Sequence, residues 1–430
     1  MLQRVGKYEV RQLLGKGASG TVYLASDPFG QRDVALKVLE NLSTDPEQAR
    51  RQLRLFQNEA ALAGKLRHPH IVSILDAGLE DVTGGEPLRY LVMEVVDGPA
   101  LTRYCEPAGL LGPRKAVEIA YKCCKALEFA NTLGVVHRDI KPANILTKAV
   151  NGTALDIKVS DFGAAQLAMS EVTQVSGVGS PAYMSPEQVR GEEIDFRTDM
   201  FSLGGVLYHL LTGRRPFEGS GTYELVNSIL NATPPAPSGL RADVPPELDT
   251  VVARALGKTR DERYSSWDRF AEALAGLLGQ QRSSNDLSDA EKFSAARRLA
   301  FFDRFSEVEL WEAVRASRWA LHPAGEVLIQ EGTPDEHFYV VASGLLKVTK
   351  RGKLLNAVSP GECVGEMAYA RRDNQPRTAT VTAIEPSWAM RMRVGDVERL
   401  SDSTRGRFTE AFLAIMAARL TMLGGRLTST

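Results

Sequence analysis

The feature that most constrains the fold of this chain is a glycine-rich loop, Gly15-Lys-Gly-Ala-Ser-Gly20, between two strand-like segments. Tyr8-Glu-Val-Arg-Gln-Leu-Leu precedes the loop and Thr21-Val-Tyr-Leu-Ala follows it, and both contain the β-branched and aromatic residues that favour strands. A dinucleotide-binding fold requires a helix directly after its last glycine, so the second strand argues against that fold. A strand–loop–strand unit instead predicts a flap whose backbone amides can approach a bound phosphate.

The chain then changes from strand-like to helical character. Residues 7–96 are mostly strand-like, with one helical stretch at about 46–66. Helical patterns dominate from about residue 113, as at 116–133. A strand-rich lobe followed by a helix-rich lobe predicts an α+β architecture with a cleft between the lobes. Inside the second lobe, Asn151-Gly152 separates two strand-like runs and predicts a tight hairpin.

Three further motifs follow the glycine-rich loop. Lys37 lies on the strand-like segment Val34-Ala-Leu-Lys-Val-Leu, directly after the flap. His137-Arg-Asp-Ile-Lys-Pro-Ala-Asn144 follows in the helical lobe, and Asp161-Phe-Gly163 comes after the predicted hairpin. Each motif alone is weak evidence, because single lysines and tripeptides recur by chance. Four motifs in this order, divided between two lobes, exclude coincidence.

Together these motifs resemble the eukaryotic-type serine/threonine protein kinases, over residues 7–278. The resemblance implies a bilobal protein-kinase fold for residues 1–280, with an N-lobe of about 1–96 and a C-lobe of about 97–280. It also implies an ATP-dependent enzyme that phosphorylates Ser or Thr of protein substrates, with Mg²⁺ or Mn²⁺ as its metal cofactor. Within this family, a lysine two residues after the catalytic aspartate favours Ser/Thr over Tyr substrates, and Lys141 has that position here.

The resemblance implies a role for each catalytic residue. Lys37 is expected to hold the α- and β-phosphates of ATP and to pair with Glu59 on the N-lobe helix. Asp139 is expected to accept or orient the proton of the substrate hydroxyl, and Lys141 to neutralise charge on the transferring phosphoryl group. These residue types suit the reaction, because phosphoryl transfer depends on alignment and charge neutralisation.

The resemblance also assigns the contacts to the nucleotide and its metal. Asn144 and Asp161 are expected to give Mg²⁺ the oxygen ligands that it prefers. Val22 and Ala35 are expected to sandwich the adenine, with Met93 at the back of the pocket. The residues expected to bind ATP are Leu14, Gly15, Lys16, Gly17, Ala18, Ser19, Gly20, Val22, Ala35, Lys37, Glu94 and Val96.

The segment between Asp161 and Glu187 resembles an activation loop. Arg138, next to the catalytic aspartate, needs an anionic partner if it is buried, and in the family a loop phosphate supplies it. The candidate loop residues are Thr173, Ser176 and Ser180. The alternative for Thr173 and Ser176 is that they are ordinary loop hydroxyls.

Three more residues match structural positions of the family. Glu187 and Arg263 are expected to form a buried ion pair, and Asp199 is expected to brace the catalytic loop. The alternative for the whole domain is a pseudokinase, a binding scaffold that keeps the fold without catalysis. Every catalytic position is filled, which favours an active enzyme over the scaffold.

The C-terminal part of the chain has a different pattern. Residues 280–288 are polar and aperiodic, which predicts a linker, and we assign it to residues 281–292. A helical stretch and then a strand-rich region with regular glycines follow, which is typical of a small antiparallel β-barrel. The glycines are Gly325, Gly332, Gly344, Gly352, Gly361 and Gly365.

Two segments of this region resemble the phosphate-binding cassette of cyclic-nucleotide-binding domains. They are Gly361-Glu-Cys-Val-Gly-Glu-Met-Ala-Tyr and Pro376-Arg-Thr-Ala-Thr-Val-Thr-Ala. The resemblance implies a jelly-roll barrel with flanking helices over residues 293–430. Bound cyclic nucleotide would then regulate the kinase, which is our hypothesis for the joint role of the two domains.

The resemblance assigns five residues to a pocket for cAMP or cGMP. Arg377 is expected to chelate the cyclic phosphate, and Glu366 to accept a hydrogen bond from the ribose. Backbone amides near Gly365 and Ala379 are expected to complete the anion site, and Thr378 points towards cGMP. The segment between Glu366 and Arg377 is longer than is usual in the family. The alternative is therefore a degenerate barrel that serves only docking or dimerisation.

The C-terminal helix, from about residue 404, has an apolar stripe. It consists of Phe408, Phe412, Ile415 and Met416. Such a stripe fits either a lid over the barrel or a seam between two copies of the chain, so a homodimer is one expectation.

Charge and cysteine content narrow the classes of partner. There are 52 Lys and Arg against 53 Asp and Glu, a net charge of −1, so nucleic acid is not an expected partner. No segment approaches the ~20 apolar residues of a membrane span and the N-terminus lacks the apolar core of a signal peptide, which predicts a cytoplasmic protein. The four cysteines have no C-x-x-C spacing, so reduced, structural thiols are predicted.

Overall fold

A computed structural model of the chain divides into two compact units, Met1–Gln280 and Gln281–Thr430. The structure describes residues 3–17, 20–39, 45–62, 64–80, 87–150, 154–162, 181–280, 287–371 and 376–427. The first unit has a strand-rich part followed by a helix-rich part, and the second has two antiparallel sheets with flanking helices. The predicted α+β class is confirmed.

The N-terminal part of the first unit is a six-stranded antiparallel sheet with the order β1-β2-β3-β4-β6-β5. Its strands are β1 (Arg4–Val5), β2 (Tyr8–Gly17), β3 (Gly20–Asp27), β4 (Arg32–Leu39), β5 (Ile74–Glu80) and β6 (Leu88–Glu94). The one described helix of this part, α1 (Pro46–Ala61), ends before the predicted residue 66. Gly64 has a φ of 75°, a left-handed conformation that a right-handed helix does not contain.

One face of this sheet has its own apolar core. Val34 and Leu36 alternate along β4 and are fully buried, together with Ala25 and Val92 on the neighbouring strands. Successive side chains of a strand point to opposite faces, so Lys37 lies on the face of β4 opposite to Val34 and Leu36. The sheet therefore presents Lys37 to the helix-rich part of the unit.

The C-terminal part of the first unit is helical. Its helices are α2 (Pro113–Thr132), α3 (Pro186–Arg190), α4 (Arg197–Thr212), α5 (Thr222–Asn231), α6 (Pro237–Leu240), α7 (Glu247–Ala255) and α8 (Trp267–Gln280). Helix α4 is buried along nearly its whole length, which is the pattern of a central core helix.

A two-stranded hairpin lies between the helices and the sheet. Strands β7 (Ile145–Val150) and β8 (Ala154–Val159) pair in continuous antiparallel register. The predicted turn at Asn151-Gly152 lies outside the described residues. Val72 N donates to Val159 O at 2.8 Å, so the end of β8 is tied to the strand-rich part just before Asp161.

The second unit begins with two helices, α9 (Asp289–Ala296) and α10 (Glu307–Ala316). Helix α9 starts inside the segment 281–292 that the polar composition predicted to be a linker. The physical reason is a capping box: Ser288 accepts from the backbone of Glu291, whose carboxylate accepts from the backbone of Ser288.

Two four-stranded antiparallel sheets follow, with the orders β10-β15-β12-β13 and β14-β11-β16-β9. The strands are β9 (Arg318–His322), β10 (Val327–Ile329), β11 (His337–Ser343), β12 (Leu346–Lys350), β13 (Lys353–Val358), β14 (Cys363–Val364), β15 (Thr380–Ala383) and β16 (Ser387–Arg393). All six glycines of the predicted strand-and-turn rhythm have positive φ, so each one permits a turn that other residues would strain. The predicted jelly-roll barrel is confirmed.

Three helices complete the second unit: α11 (Met367–Arg371), α12 (Val394–Val397) and α13 (Asp402–Leu427). Phe408 and Phe412 of α13 are fully buried, with ring centroids 5.9 and 5.0 Å from that of Phe338 on β11. These two residues of the apolar stripe therefore cover the barrel of their own chain. Ile415 and Met416 are half-buried.

The structure bears on two of the compositional predictions. All four cysteines are buried free thiols, as the sequence predicted. Within the described residues, no helix has both the length and the apolar character needed to cross a bilayer.

Candidate functional site

Lys37 on β4 is buried between two carboxylates. Its Nζ lies 2.7 Å from Asp161 Oδ1 and 3.8 Å from Glu59 Oε1 on α1, and 3% of the side chain is exposed. Burial lowers the pKa of Lys37, but the charges of Asp161 and Glu59 outweigh it and the pKa is raised. For Asp161, burial raises the pKa and Lys37 more than compensates, so its pKa is lowered. Lys37 and Asp161 thus hold each other in their charged forms, with Glu59 beside them.

Asp139 lies in the loop before β7, and two neighbours hold its carboxylate. Lys141 Nζ lies 3.1 Å from Oδ1 and 2.8 Å from Oδ2, while Asn144 Nδ2 donates to Oδ2 at 2.9 Å. Asn144 Nδ2 also donates to the backbone oxygen of Asp139 at 2.8 Å. A third of the Asp139 side chain, 34%, stays exposed. The carboxylate is therefore oriented from behind and open to a substrate hydroxyl.

His137 connects the Asp139 loop to the segment around Asp161. Its Nε2 lies 2.8 Å from the carbonyl of Ser160, and its Nδ1 accepts from the backbone N–H of Asp139 at 3.3 Å. With Nδ1 as the acceptor from Asp139, Nε2 is the ring nitrogen that faces the Ser160 carbonyl. The ring also lies 4.7 Å from that of Phe162, centroid to centroid. One fully buried side chain therefore positions both segments.

Asp199 on α4 holds the same loop by accepting hydrogen bonds from its backbone, as the sequence predicted. Its two carboxylate oxygens accept from the backbone N–H groups of His137 and Arg138, both at 2.7 Å. Burial raises the pKa of Asp199, and the hydrogen bonds oppose that rise. Gln188 Nε2 donates to the carbonyl of Arg138 at 2.7 Å, a contact that sequence reasoning missed. No motif marked Gln188, because its role depends on a contact distant in sequence.

Asn144 and Asp161, the predicted metal ligands, have the donor chemistry of a Mg²⁺ site. Because the amide nitrogen of Asn144 donates to Asp139, the oxygen Oδ1 is the atom left for a cation. Asp161 is ionised, since its pKa is lowered, and 30% of its side chain is exposed. A carboxylate and an amide oxygen suit a hard cation that keeps part of its water shell. The residues present therefore fit the metal.

The glycine-rich flap consists of the end of β2 and the start of β3. Gly17 pairs with Gly20 across the loop tip, and Ala18 and Ser19 lie outside the described residues. Gly20 has a φ of 147°, and a Cβ on it would lie 2.3 Å from the carbonyl oxygen of Val38. Only glycine therefore fits this position. Leu14, Gly15 and Lys16 are exposed on β2, on the approach to the flap.

An apolar cluster lies between the flap and the hairpin. Ala35 and Met93 are buried in it, and Val22 and Val96 pack against it, so the four predicted adenine contacts are together. Sequence reasoning missed Leu146, which packs against the same cluster from β7. Its position two residues after Asn144 was the available signal, since it follows the catalytic loop on a strand.

Glu94 is the first residue of the segment 94–96, which the kinase resemblance implies is the hinge that hydrogen-bonds adenine, and its side chain is held in place. Its Oε1 accepts from Ser73 N at 2.7 Å and lies 2.9 Å from Lys158 Nζ on β8. The carboxylate therefore holds the end of β6 against the hairpin, and the backbone of Glu94 stays beside the apolar cluster.

The predicted ion pair of Glu187 and Arg263 is bidentate and buried. Arg263 Nη1 and Nη2 lie 2.7 and 2.8 Å from the two carboxylate oxygens. Thr198 donates to Glu187 Oε1 at 2.6 Å. Burial raises the pKa of Glu187, but the hydrogen bonds and charge of Arg263 lower it to about 2. Thr173, Ser176 and Ser180, the candidate activation-loop residues, lie outside the described residues.

In the second unit, Arg377 is buried at the edge of the barrel. Nη1 donates to Gly365 O at 3.1 Å, and Nη2 donates to His337 O and lies 3.1 Å from Asp335 Oδ2. Nε is buried and has no hydrogen-bond partner among the residues that the structure describes. An unmatched donor on a buried guanidinium is costly in isolation, which is the arrangement expected where an anionic ligand supplies the acceptor. Asp335 was not predicted from the sequence.

The other predicted pocket residues lie near Arg377. Gly365 has a φ of 82°, and a Cβ on it would lie 2.8 Å from His337 O and 3.2 Å from Arg377 Nη1. Glu366 is buried, Ala379 is half-buried and Thr378 is exposed. Backbone and guanidinium thus approach each other closely, and this is possible because residue 365 has no side chain.

The fold is that of a protein kinase domain followed by a barrel of the cyclic nucleotide-binding domain type. The protein kinase domain family matches residues 8–275, and the cyclic nucleotide-binding domain family matches residues 321–404. The chain belongs to the protein kinase domain family.

Known relatives share the kinase part. The serine/threonine-protein kinase PknB of Mycolicibacterium smegmatis is 42% identical over 298 residues, which are 67% of this chain and 46% of PknB. A probable serine/threonine-protein kinase of Streptomyces coelicolor, SCO3848, is 39% identical over 64% of this chain and 40% of its own length. The crystal structure of the Mycobacterium tuberculosis PknI kinase domain has a TM-score of 0.50 and 30% identity, with 64% of this chain and 99% of that domain covered. This chain spans less than half the length of the first two relatives.

Proposed function

We propose that this chain is an active serine/threonine protein kinase that transfers the γ-phosphoryl group of ATP to protein substrates. The observation that carries the proposal is the charged group of Lys37, Glu59 and Asp161, with the oriented carboxylate of Asp139 in the adjoining loop. A pseudokinase scaffold has no need to keep Lys37 charged while it is buried. The identity to serine/threonine kinases over the same residues supports the same activity.

Each residue contributes one step of the chemistry. Lys37, held in its charged form, binds phosphate oxygens, and the apolar cluster around Ala35 receives the base. Asn144 and Asp161 would hold Mg²⁺ or Mn²⁺, which supplies positive charge against the phosphates. Asp139 orients the substrate hydroxyl and takes up its proton. Lys141, already at the carboxylate of Asp139, neutralises charge on the phosphoryl group.

The test is incorporation of labelled phosphate from ATP into a generic Ser/Thr protein substrate. Asp139→Asn and Lys37→Met should each reduce the rate by about 10²-fold or more, since they remove the proton acceptor and the phosphate contact. Glu272→Gln is the matched control, because that exposed glutamate pairs with Arg269 on the surface of α8. An Asp139→Asn protein with wild-type activity would establish the scaffold alternative instead.

We also propose that the second unit binds a cyclic nucleotide and that binding regulates the kinase. The observation in support is the buried Arg377 with its unmatched Nε beside Gly365. A cyclic phosphate is a monoanion, which one guanidinium can chelate through two oxygens. A ligand alters activity only as far as it prefers one state of the protein to another.

The matching experiment compares kinase rates of the full chain with and without saturating cAMP or cGMP. We expect a change of several-fold with one of the two nucleotides and none in Arg377→Gln. If a nucleotide binds without changing the kinase rate, the proposed regulation is refuted and the proposed binding stands. If no binding is found at millimolar ligand, the docking-only barrel is favoured. Phe408 and Phe412 are covered within the chain, so of the apolar stripe only Ile415 and Met416, with the exposed Leu413 nearby, are accessible to a second copy among the described side chains of α13.

A further inference from the structure

The second unit has a basic cavity that adjoins the Arg377 site but is lined by other side chains. Its volume is about 310 Å³, and it lies where the end of α10, the start of β9, the end of β16 and the start of α12 meet. Arg318, Arg391, Arg393 and His337 line it, with Asp396 as the one acid. Arg377, Gly365 and Glu366 are not among its lining residues. The cavity is therefore distinct from the proposed cyclic-nucleotide pocket.

Strand register explains why these cations converge. Arg391 on β16 lies directly opposite Arg318 on β9, and Arg393 lies opposite His337 on β11. Arg391 and Arg393 are two residues apart and so face the same side of the sheet. Further along this same face are Tyr339 and Ala389, which belong to the barrel core. The inner face of this sheet thus changes from apolar side chains in the barrel core to basic side chains at the end of β16.

Arg318 and Arg391 place two positive charges directly opposite each other, with Arg318 exposed and Arg391 half-buried. Like charges directly opposite each other on neighbouring strands destabilise a sheet. In the part of the chain that the structure describes, no carboxylate lies within ion-pair distance of Arg318, Arg391 or Arg393. Of the two acids nearby, Asp396 lies 3.7 Å from Arg399, and Asp335 lies 3.1 Å from Arg377 and 2.6 Å from His337.

We propose that this cavity binds a small phosphorylated polyanion, either a phosphate monoester or a pyrophosphate group. Three guanidiniums match a ligand of higher charge than the cyclic phosphodiester, which offers one negative charge to one arginine. Guanidinium groups chelate phosphate oxygens in pairs. The Nδ1 of His337 lies 2.6 Å from Asp335, so its other ring nitrogen, Nε2, is the one that can face the ligand. Among the described lining residues there is no Phe, Tyr or Trp ring on which a base could stack, so the phosphate group itself is the recognised part.

The volume supports a small ligand over a phosphorylated protein segment. About 310 Å³ is near the lower limit of typical small-molecule pockets. The cavity also joins the strands to the ends of two helices. A bound polyanion would therefore tie α10 and α12 to the barrel. The carbonyl of His337, which accepts from Arg377, joins this cavity to the other pocket through one residue.

The test is titration of the full chain with pyrophosphate, and with inorganic phosphate, at fixed ionic strength and without Mg²⁺. The double variant Arg391→Gln/Arg393→Gln should weaken pyrophosphate binding at this site by about tenfold or more, since each removes a charge-assisted hydrogen bond. Arg304→Gln, an exposed arginine of the same unit, is the matched control and should bind as wild type. Binding at the kinase site is the same in all three proteins, so their difference isolates the cavity.

Thermal unfolding without added anion separates a binding role from a structural one. If the arginines are held for a ligand, the double variant should unfold at the same temperature as wild type or higher, because like-charge repulsion is removed. It should then lose the stabilisation that pyrophosphate gives to wild type. A double variant that is less stable without anion, or that binds pyrophosphate normally, would overturn the proposal. Competition by cAMP, or tighter binding of a phosphoserine peptide than of pyrophosphate, would overturn it too.

Discussion

Arg138 and Asp161 have left-handed backbones, with φ of 67° and 61°, on either side of the candidate active site. Such a conformation costs a non-glycine residue roughly 1–2 kcal/mol and persists only where neighbours impose it. For Arg138 the neighbours are evident, because Asp199 accepts from its N–H and Gln188 donates to its carbonyl. Asp139 is therefore aimed by residues that do not touch the substrate.

The first residue-scale prediction concerns Asp199→Asn. The amide offers one oxygen where the carboxylate offers two, so either His137 or Arg138 loses its acceptor. We expect kcat to fall by about 10²-fold with little change in the KM for ATP, since the loop geometry shifts while the nucleotide contacts remain. Steady-state kinetics measures both. Asp249→Asn is the control, because that aspartate also accepts a backbone N–H but lies at Ser238 on α6. Equal losses of kcat and ATP affinity would contradict a positioning role.

The second residue-scale prediction concerns pH. The pKa of Glu187 in the folded chain is about 2, below the usual ~4.3 of an unfolded glutamate. The ionised pair with Arg263 therefore stabilises the fold above about pH 4.3, and that contribution of roughly 3 kcal/mol is lost as the pH falls towards 2. Urea unfolding from pH 7 to pH 3 should show wild type and Glu187→Gln converging below pH 4. At pH 7 the variant should be less stable by about 3–5 kcal/mol, because Arg263 is left buried and unpaired. Parallel stability curves across this range would refute the assignment.

At the scale of elements, sequence patterns predicted what local chemistry determines. The hairpin β7–β8, the glycine turns of the barrel and the start of α13 near residue 404 all follow from periodicity or turn residues. The start of α9 was missed because polar composition concealed a capping box at Ser288. Among the site residues, the order of the motifs predicted that Lys37 and Asp161 lie in one site, and they do. Gln188, Leu146 and Asp335 could not be found in this way, because each acts through a contact between distant elements.

The element-scale prediction concerns α13. Phe408 contacts the rings of Phe301, Phe305 and Phe338, so the helix seals the outer side of sheet β14-β11-β16-β9. Phe408→Ala should lower the free energy of unfolding of the second unit by about 3–5 kcal/mol, because it leaves a cavity in a packed aromatic cluster. Leu413→Ala is the matched control on the same helix: its side chain is 58% exposed, and a change within about 0.5 kcal/mol is expected. Chemical denaturation followed by tryptophan fluorescence measures both. Similar losses for the two variants would mean that α13 has another packed face.

At the scale of the whole molecule, the division into two compact units has thermodynamic consequences. Each unit has its own apolar core, one around Leu36 and one around Val341. Units with separate cores unfold in separate transitions unless an interface couples them. Each ligand then stabilises the unit that binds it, by an amount that depends on ligand concentration over Kd.

The last prediction uses this linkage to locate ligands and coupling in one calorimetric experiment. A non-hydrolysable ATP analogue with Mg²⁺ should raise the transition of Met1–Gln280, and Lys37→Met should abolish that shift. The active cyclic nucleotide should raise the transition of Gln281–Thr430, and Arg377→Gln should abolish it. If the nucleotide regulates the kinase, it must also change the shift that the ATP analogue causes, and the ATP analogue must change the nucleotide's shift equally, since coupling free energies are reciprocal. If the two shifts simply add, and neither depends on the presence of the other ligand, then the cyclic nucleotide does not change the affinity for ATP. Regulation would then have to act on the rate of phosphoryl transfer alone.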